Sequence, residues 1–259
     1  MSEHGCRNMR AIILAAGVGR RMAPVTDSMP KCLMPFGGRS LLAWYLDGLQ
    51  SVGITNASIV VGYRKEQIME EATVVAPSMS IRWVINEEFR RGSIYSLWVA
   101  RTECDDDVLV MDADVLFPRV FLTRLLESAH PNAVLVDQHV TQRDEERMVM
   151  VREGRVVALT KTPPVGAVSH GEGVGFLKIA ASHAECIGET LNPYISSGNL
   201  DIEYEDALGE FFERVDVGYE EIGDMSWIEI DCVADRDRAQ ADVLPGIIRL
   251  DEAHDVSVL

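Results

Sequence analysis

The sequence predicts an α/β fold: a doubly wound, mostly parallel (Rossmann-like) sheet with an antiparallel β elaboration in the second half. Three observations predict it. Short apolar runs alternate with helix-periodic segments through the first half, the pattern of βαβ units. Two of those runs end in chemically distinctive loops: residues 10–15 open onto a glycine- and arginine-rich string, and residues 108–111 open onto Asp112-Ala113-Asp114. In the second half the alternation gives way to two short apolar runs flanking Glu153-Gly154, a hairpin signal.

Each element has its own signal. Residues 10–15 form a buried strand ending in small residues. Residues 40–52 form a helix, with Leu41, Leu42, Tyr45, Leu46 and Leu49 at helical spacing and Gly53 as its stop. Strands at 57–61, 81–85, 108–111 and 133–136 alternate with helices at 65–71, 94–101 and 121–129. The second half reads as a hairpin of 148–151 with 156–159, a strand at 173–179, a helix at 203–214, and a strand at 227–230 leading to a helix near 235–243. With no repeat and no long linker, one domain is expected over residues 10–245, with an N-terminal tail at 1–9 and a C-terminal tail at 246–259. In doubly wound sheets ligands sit at the carboxyl ends of the strands, where the loops after Ala15 and Met111 lie.

Composition narrows the function. With 259 residues and 47% hydrophobic content, a sizeable core is available. A net charge of -17 argues against a general binder of nucleic acid or anionic membrane. No apolar run approaches the roughly 20 residues of a membrane span. The first nine residues are polar, and the five cysteines are scattered without a CxxC pair, so a cytoplasmic protein without zinc or disulfides is expected. The six histidines fall mostly at predicted loops or tails, and no Ser-His-Asp or Cys-His arrangement is called for.

Residues 13–22 read ILAAGVGRRM and residues 24–38 read PVTDSMPKCLMPFGG. Small residues at Ala15, Ala16, Gly17 and Gly19 let backbone N–H groups approach a phosphate. Arg21 adds a fork of donors for phosphate oxygens, and Lys31 a point charge. A dinucleotide fingerprint would need a third glycine, and a Walker loop would need Gly-Lys-Ser/Thr; neither follows. The string resembles the signature of the sugar-phosphate and cytidylyltransferase superfamily of nucleotidyltransferases, LAAG-x-G-x-R-M followed by P-K-x-L-x-P. The resemblance implies that Leu14, Ala15, Ala16, Gly17, Gly19, Arg21 and Lys31 bind a nucleoside triphosphate. It makes Lys31 the activating cation.

Asp112-Ala113-Asp114 follows the apolar fourth strand. Carboxylates at i and i+2 can converge on a hard cation, although an Asx-type turn or the D-x-D of nucleotide-sugar glycosyltransferases has the same pattern. The arginine and lysine loop upstream favours nucleotidyl transfer. The resemblance makes Asp114 the main metal ligand and Asp112 a supporting or substrate-contacting residue.

Three second-half strings, GEGVGFLKIA (171–180), YEDALGEFF (204–212) and WIEIDCVADRDRA (227–239), have ordinary structural readings singly. Glu229 and Asp231, alternating on a strand, share one face. Read in order, the strings resemble the G-E-x-x-G, E-D-A-L and W-x-E-I-D of cytidylyltransferases acting on small phosphates or phosphonates, the phosphocholine, aminoethylphosphonate and inositol-phosphate enzymes. That resemblance makes Asp231 the second metal carboxylate, Lys161 the lysine that contacts the acceptor phosphate, and Glu172, Glu205 and Asp206 the acceptor pocket. It places Asn86 and Ser96 with the nucleotide. Tyr194, Tyr204 and Trp227 are candidate aromatic faces for an ammonium head group. In the phosphocholine-like enzymes an Asn-Asn pair often precedes Ile-Tyr-Ser-Leu; here Gly92-Ser93 precedes Ile94-Tyr95-Ser96-Leu97.

The resemblance implies a Mg2+-dependent enzyme whose catalytic residues are Arg21, Lys31 and Lys161. It would transfer CMP from CTP to a small phosphate or phosphonate and release pyrophosphate, with CTP and that acceptor as its partners, and a homodimer is compatible with it. A sugar-1-phosphate nucleotidylyltransferase using another triphosphate, and a non-catalytic nucleotide-binding regulatory module, are the alternatives.

Overall fold

A computed structural model describes residues 9–139 and 146–257 of the chain. Strand β1 (Met9–Ala15) leads into a loop of three single 3-10 turns, at Arg20–Met22, Val25–Asp27 and Lys31–Leu33. A two-residue pairing of β2 (Pro35–Phe36) with β3 (Arg39–Ser40) ends that loop at helix α1 (Leu41–Ser51). Ser40 caps α1, its Oγ accepting from Ala43 N at 3.1 Å. The alternation continues with β4 (Asn56–Val61), α2 (Lys65–Val75), β5 (Ser80–Ile85), α3 (Ile94–Ala100) and β6 (Asp107–Asp112). A short β7 (Val115–Leu116), α4 (Val120–Glu127) and β8 (Ala133–Asp137) complete the first half.

The expected hairpin is β9 (Met148–Arg152) with β10 (Arg155–Thr160). Its two turn residues both take positive φ, 53° at Glu153 and 78° at Gly154, the twist-matched turn of a two-residue hairpin. Then follow β11 (Val168–Ile179), α5 (Ala181–Ser196), α6 (Tyr204–Ala207), α7 (Gly209–Arg214), β12 (Gly218–Glu221), β13 (Ile228–Glu229), α8 (Val233–Arg238) and α9 (Leu244–Ser257).

The main sheet has nine strands, with the path β10-β9-β11-β6-β1-β4-β5 and with β8 pairing both β11 and β12. Strands β6, β1, β4 and β5 are parallel. Strand β11 runs antiparallel to β6, β8 and β9. The doubly wound expectation holds, with one difference: β8 does not extend the parallel sheet directly, because the long β11 lies between it and β6.

Strand alternation divides the core in two. Ala11, Ile13, Ala57, Ile59, Leu109 and Met111 face α1, α2, α4 and α9. Ile12, Val60, Val108 and Val110 face α3, α5, α6 and α7. The sheet thus lies between two helical layers, and the chain reverses its winding between β1 and β6. There Leu14 is in register with Asp112, so the loops after both strands open at the switch point.

Two expectations are corrected. The C-terminal tail at 246–259 is, up to Ser257, the helix α9, with Ile247 fully buried. Asp251 anchors that helix, accepting from Arg119 N at 2.8 Å. The N-terminal tail lies outside the described residues except for Met9, which opens β1. The helix expected at 203–214 is two helices broken at Leu208. Among the described residues no helix is long and apolar enough to cross a membrane.

Candidate active site

A cleft of about 1300 Å3 lies at the carboxyl ends of β1 and β6. It is lined by Leu14, Ala16, Gly17, Gly19, Arg21 and Lys31 from the first loop, by Lys161, Glu172, Glu205 and Trp227 from the second half, and by Asp114, Glu229 and Asp231. Gly19 takes φ 66°, and a Cβ there would lie 3.1 Å from Thr26 Cγ2, so the loop turns tightly at that residue. A Cβ at Gly17 would meet nothing within 4 Å; its glycine leaves the loop open to a close-approaching group. The string does not begin a helix at the arginines: the 3-10 turn Arg20–Met22 aims Arg21 at the acids across the cleft, Nη2 lying 2.8 Å from Asp231 Oδ1.

The acids come together by backbone pairing. Strand β7 pairs antiparallel with β13, Val115 opposite Glu229 and Leu116 opposite Ile228. Ile230 N donates to Asp114 O at 2.8 Å. This ladder brings the end of the Asp112-Ala113-Asp114 string beside Glu229 and Asp231. Asp235 fixes the far end of the second segment, its Oδ2 accepting from Asp231 N at 3.1 Å and Cys232 N at 2.8 Å. Asp235 is half-buried, which would raise its pKa, but those bonds hold it below the usual carboxylate range.

Asp114, Glu229 and Asp231 each offer an oxygen within 4.8 Å of the others. Asp114 Oδ1 is buried without a hydrogen-bond partner among the described residues. Three hard oxygen donors and an unsatisfied buried oxygen fit a hard divalent cation such as Mg2+. Lys31 Nζ lies against the same acids, 2.8 Å from Asp114 Oδ2 and 3.1 Å from Asp231 Oδ1. Burial disfavours its charge, and Asp114 and Asp231 more than offset that, holding its pKa above the ordinary lysine value. Glu229 is exposed as a whole residue, but its carboxyl end is crowded among these groups; the loss of water there, then Asp114 and Asp231, push it well up, with Lys31 opposing. Sequence reasoning put Glu229 on the face of Asp231 but did not count it as a ligand; the alternation itself was the available signal.

Asp112 is not part of that carboxylate group. Its backbone oxygen accepts from Tyr45 OH at 2.5 Å, and its Oδ2 from Tyr204 OH at 3.0 Å. Burial, Glu205 and Asp114 push its carboxyl well above the usual range, with the Tyr204 bond opposing. Asn86 is 1% exposed; its Nδ2 donates to Ser96 Oγ at 2.9 Å, and its Oδ1 has no partner among the described residues. Both residues, with Asp112, line the cleft.

Two predicted site residues lie elsewhere. Ala15 faces the first core rather than the cleft, because its neighbours Leu14 and Ala16 take the opposite side of the strand. Asp206 turns away and pairs with Arg147, since on the short α6 it cannot share the direction of Glu205. Tyr194 likewise belongs to α5 and packs on the second core. Tyr204 and Trp227 do line the cleft, and Trp227 Nε1 donates to Asp137 Oδ2 at 2.8 Å. Glu172 is pushed up to about 7 by burial and by Glu146, Asp137 and Asp231, with Arg238 opposing.

Known proteins resemble this chain in sequence and in fold. A choline-phosphate cytidylyltransferase of Streptococcus pneumoniae is 28% identical over 229 residues, 88% of this chain and 95% of that protein. A CMP-5'-(3-aminopropyl)phosphonate synthase of Streptomyces rubellomurinus is 35% identical over 127 residues, 49% of this chain; the match spans only 20% of the longer protein. The solved structure of the CTP:phosphocholine cytidylyltransferase of Streptococcus pneumoniae superposes with a TM-score of 0.73 at 25% identity, covering 90% of this chain and 98% of that one. Residues 11–192, from β1 through most of α5, match the MobA-like NTP transferase domain, and the chain belongs to that family of nucleotidyltransferases.

Proposed function

We propose that this protein transfers CMP from CTP to the phosphate or phosphonate of a small molecule and releases pyrophosphate. The observation that carries the reading is the convergence of Arg21 and Lys31, from the loop after β1, on the carboxylates Asp114, Glu229 and Asp231. Cations for a triphosphate and donors for a divalent ion meet at one point. Mg2+ held by Asp114 and Asp231, with Glu229, would supply Lewis-acid stabilisation of charge on the α-phosphate.

An ionised acceptor oxygen attacks the α-phosphorus and forms the new P–O bond. The bond from that phosphorus to the α–β bridging oxygen breaks, and pyrophosphate departs with the electron pair. The acceptor needs orientation, not deprotonation. Lys161 supplies it, while Arg21 and Lys31 neutralise the charge growing on the leaving group. The carboxamide of Asn86, with no partner at Oδ1 among the described residues, offers a hydrogen bond to the edge of the base. Glu172, Glu205 and Trp227 form the acceptor end, and relatives named for phosphocholine and for an aminopropylphosphonate support an acceptor of that type. The free cysteines Cys32, Cys104, Cys186 and Cys232 suit a reducing cytoplasm.

The test is pyrophosphate release over four nucleoside triphosphates crossed with a panel of phosphates and phosphonates. Release with CTP and a small phosphonate or phosphocholine is expected. Release only with UTP and a hexose 1-phosphate would make the protein a sugar nucleotidylyltransferase, and no release with any pair would make it a nucleotide-binding module.

A further inference from the structure

Gly92-Ser93 is fastened to a segment more than a hundred residues further along the chain. Gly92 N donates to Leu200 O at 2.8 Å and Ile94 N to Ile202 O at 3.3 Å. Ser93 makes two further bonds: its N donates to Glu203 Oε2 at 3.2 Å, and its Oγ accepts from Tyr204 N at 2.9 Å. Arg91 pairs with Asp201, Nη2 to Oδ2 at 2.7 Å. The approach is close enough to exclude a side chain, for a Cβ on Gly92 would lie 2.1 Å from Ile202 O. Glycine is therefore required here by contact between two backbones.

The fastened segment has a second anchor. Tyr204 OH donates to Asp112 Oδ2 at 3.0 Å, so the same residue that is tied to Ser93 through its N–H is tied to the end of β6 through its hydroxyl. Tyr204 is 3% exposed. Between these anchors the segment presents Glu203, Tyr204 and Glu205 to the cleft. Glu205 Oε2 is buried there with no hydrogen-bond partner among the described residues, and a buried carboxylate oxygen without a partner is costly unless a ligand satisfies it.

We infer that Ser93 and Tyr204 are positioning residues that fix residues 200–205 as the acceptor-side wall of the cleft, holding Glu205 where it takes the donor-bearing end of the acceptor. This inference rests on the nucleotidyl transfer proposed above. On that reading the clasped segment selects the acceptor.

The experiment combines kinetics with amide hydrogen exchange on Ser93→Ala, Ser93→Thr and Tyr204→Phe. Each of Ser93→Ala and Tyr204→Phe removes one hydrogen bond, so the KM for an aminoalkylphosphonate acceptor should rise about five-fold while the KM for CTP stays within about two-fold. Amides of the peptide spanning 200–206 should exchange faster in both variants, and Ser93→Thr, which keeps the hydroxyl, should restore both readouts. Unchanged exchange in that peptide overturns the inference. So does a rise in both KM values by the same factor, which would mark a general structural defect. If the parent protein releases no pyrophosphate with any acceptor, the proposed reaction fails, and the exchange measurement still decides whether the clasp holds.

Discussion

Lys31 stands between Asp114 and Asp231, its Nζ donating to Asp114 Oδ2 at 2.8 Å and to Asp231 Oδ1 at 3.1 Å. The lysine comes from the loop after β1, one aspartate from the loop after β6, and the other from the segment after β13. One ammonium thus ties three distant parts of the chain at the switch point of the sheet. Replacing Lys31 by Ala should lower kcat/KM by roughly 10²- to 10³-fold, the scale of losing one charge-stabilising group in the transition state. Circular dichroism should show the fold retained. Near-normal turnover in a folded Lys31→Ala protein would sink the proposed mechanism. Lys31→Arg should recover little, because a planar guanidinium cannot occupy the same point between two carboxylates.

The three carboxylates make a separate prediction. Glu229→Gln and Asp114→Asn should each weaken Mn2+ binding by at least about ten-fold in titration calorimetry with nucleotide present. Asp235→Ala, which removes the acceptor for Asp231 N and Cys232 N, should weaken it less, since it disturbs only the orientation of a ligand. Equal affinity in the parent and Glu229→Gln proteins would remove Glu229 from the metal group.

What the sequence made legible and what it hid divide along contact distance. The strands β1, β4, β5 and β6 and the loops that leave β1 and β6 were readable, because each depends on a continuous local pattern and a simple topology rule. The position of β11 was not: nothing local in residues 168–179 says that they insert between β6 and β8. Helix α5 was missed although Ala184, Ile187 and Leu191 are buried at helical spacing; Pro193 near its end masks the pattern. Helix α9 was taken for a tail because its apolar periodicity is weak, while its docking through Asp251 and Arg119 depends on partners far apart in the chain. At the site, Arg21, Lys31, Asp114 and Asp231 lie in contact. Asp206 misses the cleft because a single residue's rotation on α6 decides which carboxylate faces inward, and the roles of Ser93 and Tyr204 exist only once residues 93 and 204 meet.

Glu172 gives the protein a dependence of stability on pH. It stands at about 7, raised from 4.5 by burial and by Glu146, Asp137 and Asp231. A carboxyl with a raised pKa in the fold binds its proton more tightly folded than unfolded. Its contribution is therefore fully present below the unfolded value and is lost as pH rises through the folded one. The nucleotide-free protein should melt at a lower temperature at about pH 7.5 than at about pH 5 on this account, and Glu172→Gln, which cannot ionise, should shrink that difference. An identical difference in the two proteins would show that Glu172 does not titrate in this window.

Gly175 offers the clearest separation of backbone strain from site chemistry. It lies in β11 where the pairing with β8 becomes irregular. Its φ is 81°, and a Cβ there would come within 2.6 Å of Asp112 Oδ2 and 3.3 Å of Asp112 Cβ. Alanine at this position meets two penalties. The left-handed conformation alone costs roughly 1–2 kcal/mol for a residue with a Cβ. The new methyl must also displace the carboxyl that Tyr204 OH holds, and with it the end of β6 on which Asp114 depends. Gly223 is the control, with φ 66° and nothing within 4 Å of its Cβ position. Gly223→Ala should lower the melting temperature by about 2–4 °C per kcal/mol of strain and leave kcat/KM unchanged. Gly175→Ala should lower it further, because the contact penalty adds to the same strain, and should also reduce kcat/KM by about ten-fold or more, as expected when a residue supporting the reacting groups is moved. Equal thermal shifts with full activity in both variants would mean that the contact between Gly175 and Asp112 does not hold the site in place.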